Sequence, residues 1–373
     1  MIPVYQPWLT NLEKKYVNQV MDASWISSTG KFIDKAEELF AEFIGVKHCI
    51  VTTSGTTALH LCLRALDLPH YQGDTRTNIP INTGTVLVPD TTFIATSFAA
   101  SYDQRPIEFI DVNRDTWNID IDILENNLKN GKKYSIVIPV HLYGNPCDMD
   151  RLIALKNKYG FKIVEDSCES LGATINGKKT GSFGDLSCFS FYGNKSMTSG
   201  EGGAVTTNDD QLAYRVKLLR GQAQDVKRYW HIDIGYNYRM TNIQAAILCG
   251  QLERSDEILA EKDRVTERYQ NALKDHFEFQ KVLPGHKHSN WIVSLKLPVK
   301  QNMISSKMQH RGVDTRKVFY PITEMPPYSS HATGPVAIEL SDYGISLPSF
   351  PQLTNNQIDY ICANLIDCVN HSS

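Results

Sequence analysis

The sequence contains no apolar run approaching the ~18 residues that a membrane span needs, and its opening Met1-Ile2-Pro3-Val4-Tyr5-Gln6-Pro7 has neither the basic start nor the apolar stretch of a secretory leader. A cytoplasmic protein with no membrane partner is expected. Positive charge is not in excess either: 38 lysines and arginines against 41 acidic residues give a formal charge of -3, so there is no electrostatic reason to expect nucleic acid. The eight cysteines include no C-x-x-C pair. Scattered through apolar segments, they read as reduced core thiols and not as a disulfide framework or metal site. The G-x-x-x-x-G-K-[ST] loop and the G-x-G-x-x-G fingerprint are also missing, which removes the main support for a P-loop or Rossmann nucleotide-binding protein. There is no internal repeat or low-complexity tract.

What is present is an ordinary globular composition, 42% hydrophobic and 21% charged, over 373 residues. That length exceeds what a single core usually serves, so a large domain over residues 1–250 and a smaller one over 251–373 are expected. Seven short apolar or β-branched runs alternate with helical patterns: 48–53, 85–89, 106–112, 135–140, 161–166, 186–191 and 203–207. This is the signature of an α/β fold with a mostly parallel sheet and helices on both faces. Thr10 and Glu13 form a capping-box pattern for a helix running to Ala23, and Thr241 can cap another running to about Arg254. Helices over 33–44, 149–159 and 209–220 each stop at a glycine. A charged helix is expected from Ile258 to His276. The last hundred residues read as α+β: a strand over 291–297, a helix over 303–310, an extended 317–320 and a closing helix over 355–369. The segment Tyr71 to Gly84, rich in Asn, Thr, Gly and Pro, reads as a surface loop.

Several residues carry chemistry. Ser54-Gly55-Thr56 follows a strand and opens a helix; free amides, a hydroxyl and a side-chain-free position make a phosphate cradle, although such turns are also common packing devices. Asp166 ends the 161–166 strand, where open α/β sheets place their ligands, and Glu169 follows one turn on. Each has a bland alternative, a helix cap or a surface carboxylate. Lys195 lies in Phe189-Ser190-Phe191-Tyr192-Gly193-Asn194-Lys195, between two apolar strands and ahead of a glycine-rich stretch. Taken singly, a solvated lysine in a turn is the commoner case. A phosphate cradle, an aromatic, a carboxylate, a serine and a lysine in that order along one α/β domain point instead to pyridoxal phosphate (PLP). Its pyridine nitrogen needs a carboxylate to stay protonated, and its aldehyde needs an amine.

At this point the sequence resembles the nucleotide-sugar aminotransferases of the fold-type I PLP enzymes, and among them most the GDP-perosamine synthases. The likeness runs through Ile2 to Pro7, Trp25-Ile26-Ser27-Ser28, Ser54-Gly55-Thr56, His141 to Gly144, Glu165-Asp166 with Glu169, and Phe189 to Gly203. It continues through Gly235-Tyr236-Asn237-Tyr238-Arg239-Met240-Thr241-Asn242, Val318 to Pro321 and Leu347 to Pro351. The resemblance implies that Lys195 carries the cofactor and moves the proton, that Asp166 pairs with the pyridine nitrogen, and that Glu169 meets the ring hydroxyl. It implies that Ser54, Gly55, Thr56 and Ser190 hold the phosphate, that Phe93 stacks on the ring, and that Asn237 reaches the phosphate of a neighbouring subunit in a homodimer. Glutamate is the implied amino donor. The implied acceptor is a nucleotide-linked 4-keto-6-deoxyhexose, GDP-linked first and UDP- or dTDP-linked next, with amination at C3 and a silent PLP- or sugar-nucleotide-binding relative as further alternatives. Trp25, Ser27, Arg239 and Tyr320 are expected around the sugar nucleotide, Arg239 because guanidinium suits pyrophosphate. The sequence departs from the perosamine synthases in two places: Tyr320-Pro321 runs into Ile322-Thr323-Glu324 where they carry a histidine, and the Tyr71 to Gly84 segment is longer.

Overall fold

The computed structural model describes residues 1–67 and 84–372. The expected loop from Tyr71 therefore lies, apart from Gly84, outside the described residues. All seven expected strands form, the first six trimmed by one to four residues and the last at its expected bounds: β1 His48–Thr52, β2 Val86–Pro89, β3 Ile107–Ile110, β4 Ile136–Val137, β5 Lys162–Asp166, β6 Leu186–Ser190 and β7 Gly203–Thr207. They join in one sheet in the order β1-β7-β6-β5-β4-β2-β3. Neighbours from β6 through β3 run parallel, and only β7 is reversed, antiparallel to both β1 and β6.

Alternation along the strands explains how the sheet is covered. Ile50, Val86, Val88 and Val164 point to one face, where helices Gly55–Asp67, Ala95–Tyr102 and Asp210–Arg220 pack on them. Val51, Leu87, Val137 and Ile163 point to the other, under helices Lys31–Ile44, Ile121–Lys129, Met149–Tyr159 and Asn242–Leu252. Side chains of successive strand residues lie on opposite faces, and a sheet buried on both needs apolar residues at every position. Helix ends follow local chemistry. Thr10 and Glu13 close their capping box on the helix Asn11–Ala23, and Thr241 does so with Gln244 on Asn242–Leu252. Gly45 and Gly160 stop their helices with φ of 82°, a left-handed turn that suits glycine. Gly221 stops its helix with φ of −98°, so that freedom is not used there.

The C-terminal part builds a second sheet, wholly antiparallel, from β8 Glu278–Phe279, β9 Ser294–Lys296, β10 Arg316–Lys317 and β11 Gly344–Ser346, in the order β8-β9-β11-β10. Helices Ser255–Leu273, Gln301–His310 and Asn355–Asn370 enclose its core. The strand expected over 291–297 is shorter because its first residues bond elsewhere: the Val293 amide donates to Ser349 Oγ at 2.9 Å, and the Trp291 carbonyl accepts from Lys262 Nζ at 2.6 Å. Helix Pro335–Tyr343 was not expected; it begins with proline at its first position. No helix among the described residues is long and apolar enough to cross a membrane.

Lys262, on helix Ser255–Leu273, is fully buried; its Nζ donates to Trp291 O at 2.6 Å and to Ser349 O. Burial pushes its amine down to about 7 from 10.5. The unfolded chain holds the proton more tightly between those two values, so this group's contribution to stability rises with pH across that window. Lys262→Met removes that contribution and leaves two carbonyls without a donor. The variant's deficit in melting temperature is expected to widen from pH 7 to pH 9.5; a deficit that stays constant would show that the amine does not titrate there.

Candidate active site

A cavity of about 550 Å³ opens at the ends of β5 and β6, beside the start of helix Gly55–Asp67. Asp166 is the last residue of β5 and lies in its wall. Thr96 Oγ1 donates to its Oδ2 at 2.8 Å and the Cys168 amide to its Oδ1 at 3.2 Å. Alternation sends the neighbouring Glu165 to the opposite face. There it accepts from the amides of Gly181, Phe183 and Gly184, from Ser187 Oγ and from His141, a fully satisfied structural carboxylate. The adjacent acids of the Glu165-Asp166 pair thus have different surroundings.

Lys195 enters from the loop after β6. Its amide donates to Tyr192 O at 2.9 Å, and its own carbonyl accepts from the Tyr5 hydroxyl at 2.7 Å. The carbonyl before it, that of Asn194, takes the Trp291 indole N–H. The backbone is therefore clamped on both sides, by the N-terminal arm and by the C-terminal part. Its Nζ lies 3.8 Å from Glu169 Oε1. Glu169 is buried, and burial, with a smaller contribution from Asp166, pushes its carboxyl up to about 7 against the opposing pull of Lys195 and the Tyr143 amide. That amide donates to Glu169 Oε2 at 2.8 Å from a left-handed residue, φ 57°. Such a conformation costs a β-carbon-bearing residue about 1–2 kcal/mol, and the bond to a buried carboxylate holds it.

The phosphate cradle has a reason for its glycine. A β-carbon on Gly55 would lie 2.8 Å from Ser190 Cβ and 3.0 Å from Cys168 Sγ, so no larger residue fits between helix and strand. Ser54 O and Oγ take the amides of Ala58 and Thr57 at 3.0 and 3.2 Å. The amides of Gly55 and Thr56, which have no carbonyl inside the helix to bond, remain at the cavity that both residues line. Phe93 is 55% exposed on the cavity wall, the disposition of a stacking ring and not of a core phenylalanine. Asn194, also in the wall, has a buried Oδ1 with no partner. An anion-receiving helix start, a free ring face, a carboxylate and an amine around one cavity fit PLP.

Ser54, Gly55, Thr56, Phe93, Asp166, Glu169, Ser190 and Lys195 therefore meet in one place. Trp25, Ser27, Asn237, Arg239 and Tyr320 do not line that cavity within the single chain. Asn242, at the start of its helix, bonds the carbonyls of Trp25 and Ser27 at 2.7 and 2.6 Å. Asn237 Oδ1 accepts from Arg239 Nη2 at 3.1 Å, and the exposed Tyr320 ring lies 3.8 Å below Lys317 Nζ. Trp291, Arg316 and Thr96 line the cavity without having been singled out from the sequence. Arg316 forms no ion pair among the described residues, and only packing from a distant part of the chain brings it and Trp291 here. All eight cysteines are free thiols; seven are buried and Cys168 is half-buried at the cavity.

A cavity lysine beside buried carboxylates at the carboxyl end of the central strand β5, next to an open helix start, defines a PLP-dependent enzyme. More particularly, the chain belongs to the DegT/DnrJ/EryC1/StrS aminotransferase family, whose model matches residues 7–366. It is 40% identical to the GDP-perosamine synthase of Escherichia coli O157:H7 over 98% of this chain and 97% of that one, and 37% identical to that of Vibrio cholerae over 99% and 100%. Among solved structures it is similar to Helicobacter pylori PseC, an aminotransferase involved in pseudaminic acid biosynthesis, with a TM-score of 0.90 at 25% identity and 99% of both chains covered.

Glu169 offers a direct check. Between its usual 4.5 and about 7 the folded chain holds the proton more tightly than the unfolded chain, so this carboxyl's contribution to stability falls as pH rises through that window. Glu169→Gln does not titrate. Chemical denaturation of the cofactor-free protein is expected to show the variant gaining on the wild type by an amount of order 3 kcal/mol between pH 4.5 and 7.5; parallel curves would contradict the shift.

Proposed function

We propose that this aminotransferase moves an amino group from glutamate to C4 of a GDP-linked 4-keto-6-deoxyhexose and works as a homodimer. The observation that carries the substrate is the 37 to 40% identity to GDP-perosamine synthases over at least 98% of the chain, with Lys195 and Asp166 in one cavity.

PLP, when bound, supplies an electron sink for a carbanion next to nitrogen. Asp166, its position fixed by Thr96 and the Cys168 amide, would keep the pyridine nitrogen protonated. Lys195 would hold the cofactor and, as a free amine, would move the proton between carbons. Gly55, Thr56 and Ser190 would bind the phosphate with amides and hydroxyls, Phe93 would stack on the ring, and Glu169 would meet the ring hydroxyl. Glutamate and keto sugar would use the same site in turn, with Lys195 as the proton carrier for both, a ping-pong order. Arg316, whose guanidinium lies at the cavity and forms no ion pair among the described residues, suits the anionic groups that both substrates carry.

A second copy of the chain is supported by the residues that the single chain leaves outside its cavity. Asn237 and Arg239 follow a segment with Tyr229, Trp230 and Ile234 exposed at 74%, 54% and 81%, more apolar surface than an isolated subunit usually shows in one stretch. The stretch that replaces the perosamine synthases' histidine favours keeping UDP- and dTDP-linked sugars as a second reading. Thr323 is buried there and bonds Asp90 through both its amide and its hydroxyl, at 3.0 and 2.9 Å, and Ile322 is buried beside it. The segment anchors on the end of β2 and contributes no imidazole to a sugar.

The wild type is expected to turn yellow with PLP and to retain it covalently on Lys195 after borohydride, with Lys195→Ala retaining none. Offered glutamate with GDP-, UDP- and dTDP-linked 4-keto-6-deoxy sugars, the enzyme should give the amino sugar fastest from the GDP form by mass spectrometry. Turnover restricted to 3-keto sugars would refute amination at C4.

A further inference from the structure

We propose that Trp291 is a positioning residue for Lys195: its ring face receives the lysine's ε-ammonium whenever that amine is not bound to the cofactor. The inference rests on the assignment of Lys195 as the cofactor lysine. Lys195 Nζ lies 3.8 Å from the centroid of the Trp291 ring, well inside the roughly 6 Å over which an aromatic face attracts a cation. Neither partner is in bulk water, since the lysine side chain is 13% exposed and Trp291 6%. Desolvation strengthens such a contact.

The ring has little freedom to move away. Its indole N–H donates to Asn194 O at 2.8 Å, one residue before the lysine, so a single hydrogen bond sets the face against the side chain. On its flank it stacks with Tyr143, centroids 6.0 Å apart and planes at 22°, and Tyr143 in turn stacks on Phe319 at 5.3 Å and 21°. Behind it, Lys262 Nζ holds the Trp291 carbonyl at 2.6 Å. The other group near the amine, Glu169 at 3.8 Å, is a carboxyl that titrates. The ring does not titrate, so its attraction persists across the working pH range.

The chemistry calls for such a contact. A transaminating lysine leaves the cofactor and returns to it in each cycle, and while free it must stay within reach of the reacting carbons. A fully paired buried ion bridge would hold it too firmly, and open solvent would let it wander. An aromatic face is intermediate: it attracts the ammonium without occupying its hydrogens.

The test uses the full-length chain stripped of PLP, with a limiting acylating reagent at fixed pH and the Lys195 peptide quantified against surface lysines by mass spectrometry. Fluorinated tryptophans incorporated biosynthetically keep the shape and the N–H of Trp291 but weaken the ring's negative face. Labelling of Lys195 is expected to rise stepwise with the number of fluorines, by about two- to fivefold in total. Trp291→Leu should label at least as fast as the most fluorinated protein, and Trp291→Phe should fall between it and the wild type. Labelling indifferent to fluorination, or equal in the Phe and Leu variants, would reduce Trp291 to a backbone clamp and overturn the proposal. The fluorinated series decides the matter even if Trp291→Leu fails to fold. Borohydride fixation, read before PLP is stripped, reports separately on whether Lys195 is the cofactor lysine.

Discussion

A carboxylate kept at the end of a buried strand without a cation beside it is costly unless its lone pairs are occupied, and Asp166 is such a group. No ion pair to it exists among the described residues; a threonine hydroxyl and one amide hold it instead. The surrounding structure follows from that arrangement. The helix that supplies Thr96 must pack on β2 and β3 with its first turn reaching the end of β5, Cys168 must turn its amide back on the strand, and the preceding acid, Glu165, must be absorbed by a ring of amides on the far face. The charge that remains available at the cavity is what a protonated pyridine would complete.

The lysine opposite is positioned by three parts of the chain that are far apart in sequence. Tyr5 bonds its carbonyl, Trp291 bonds the carbonyl before it, and Lys262 bonds the carbonyl of Trp291 while lying 5.3 Å from the Tyr5 ring. The large-sheet region holds the far side of the lysine loop, where the Ser199 amide and Thr198 Oγ1 donate to Phe191 O and Met197 is buried, but it bonds neither the Lys195 nor the Asn194 carbonyl. Rigid placement of the reacting amine comes from the N-terminal arm and the C-terminal layer closing over that loop, in keeping with the gain that fixed geometry brings to catalysis.

The parts of this design that were legible in the sequence are those whose signal is local. All seven strands of the large sheet stood out because apolar runs bounded by turns need no distant information, and the capping box at Thr10 and the cap at Thr241 are written within four residues. Asp166, Lys195 and the Gly55 turn were visible for the same reason: Asp166 ends β5, Gly55 opens the helix that follows β1, and Lys195 lies in the turn after β6. The strand expected over 291–297 was overestimated because the Trp291 carbonyl and the Val293 amide are spent on side chains far along the chain. Helix Pro335–Tyr343 lacked a side-chain cap to announce it. Trp291 and Arg316 had no motif at all; their place at the cavity depends on how the second sheet packs against the first, which no local pattern records.

The same long-range closure sets an order of events during synthesis. Ile2 bridges Val313 in parallel, its amide bonding Gly312 O at 2.7 Å and its carbonyl taking the Asp314 amide at 2.9 Å. That contact fixes the arm carrying Tyr5, yet its partner emerges about a hundred residues after β7 has completed the large sheet. At translation rates of about 5 to 20 residues per second, the nascent chain would hold a finished sheet whose lysine loop still lacks its bond from Tyr5 for roughly 5 to 20 s. Through that interval the arm waits, made before the sheet it closes on and among the last segments to find its place.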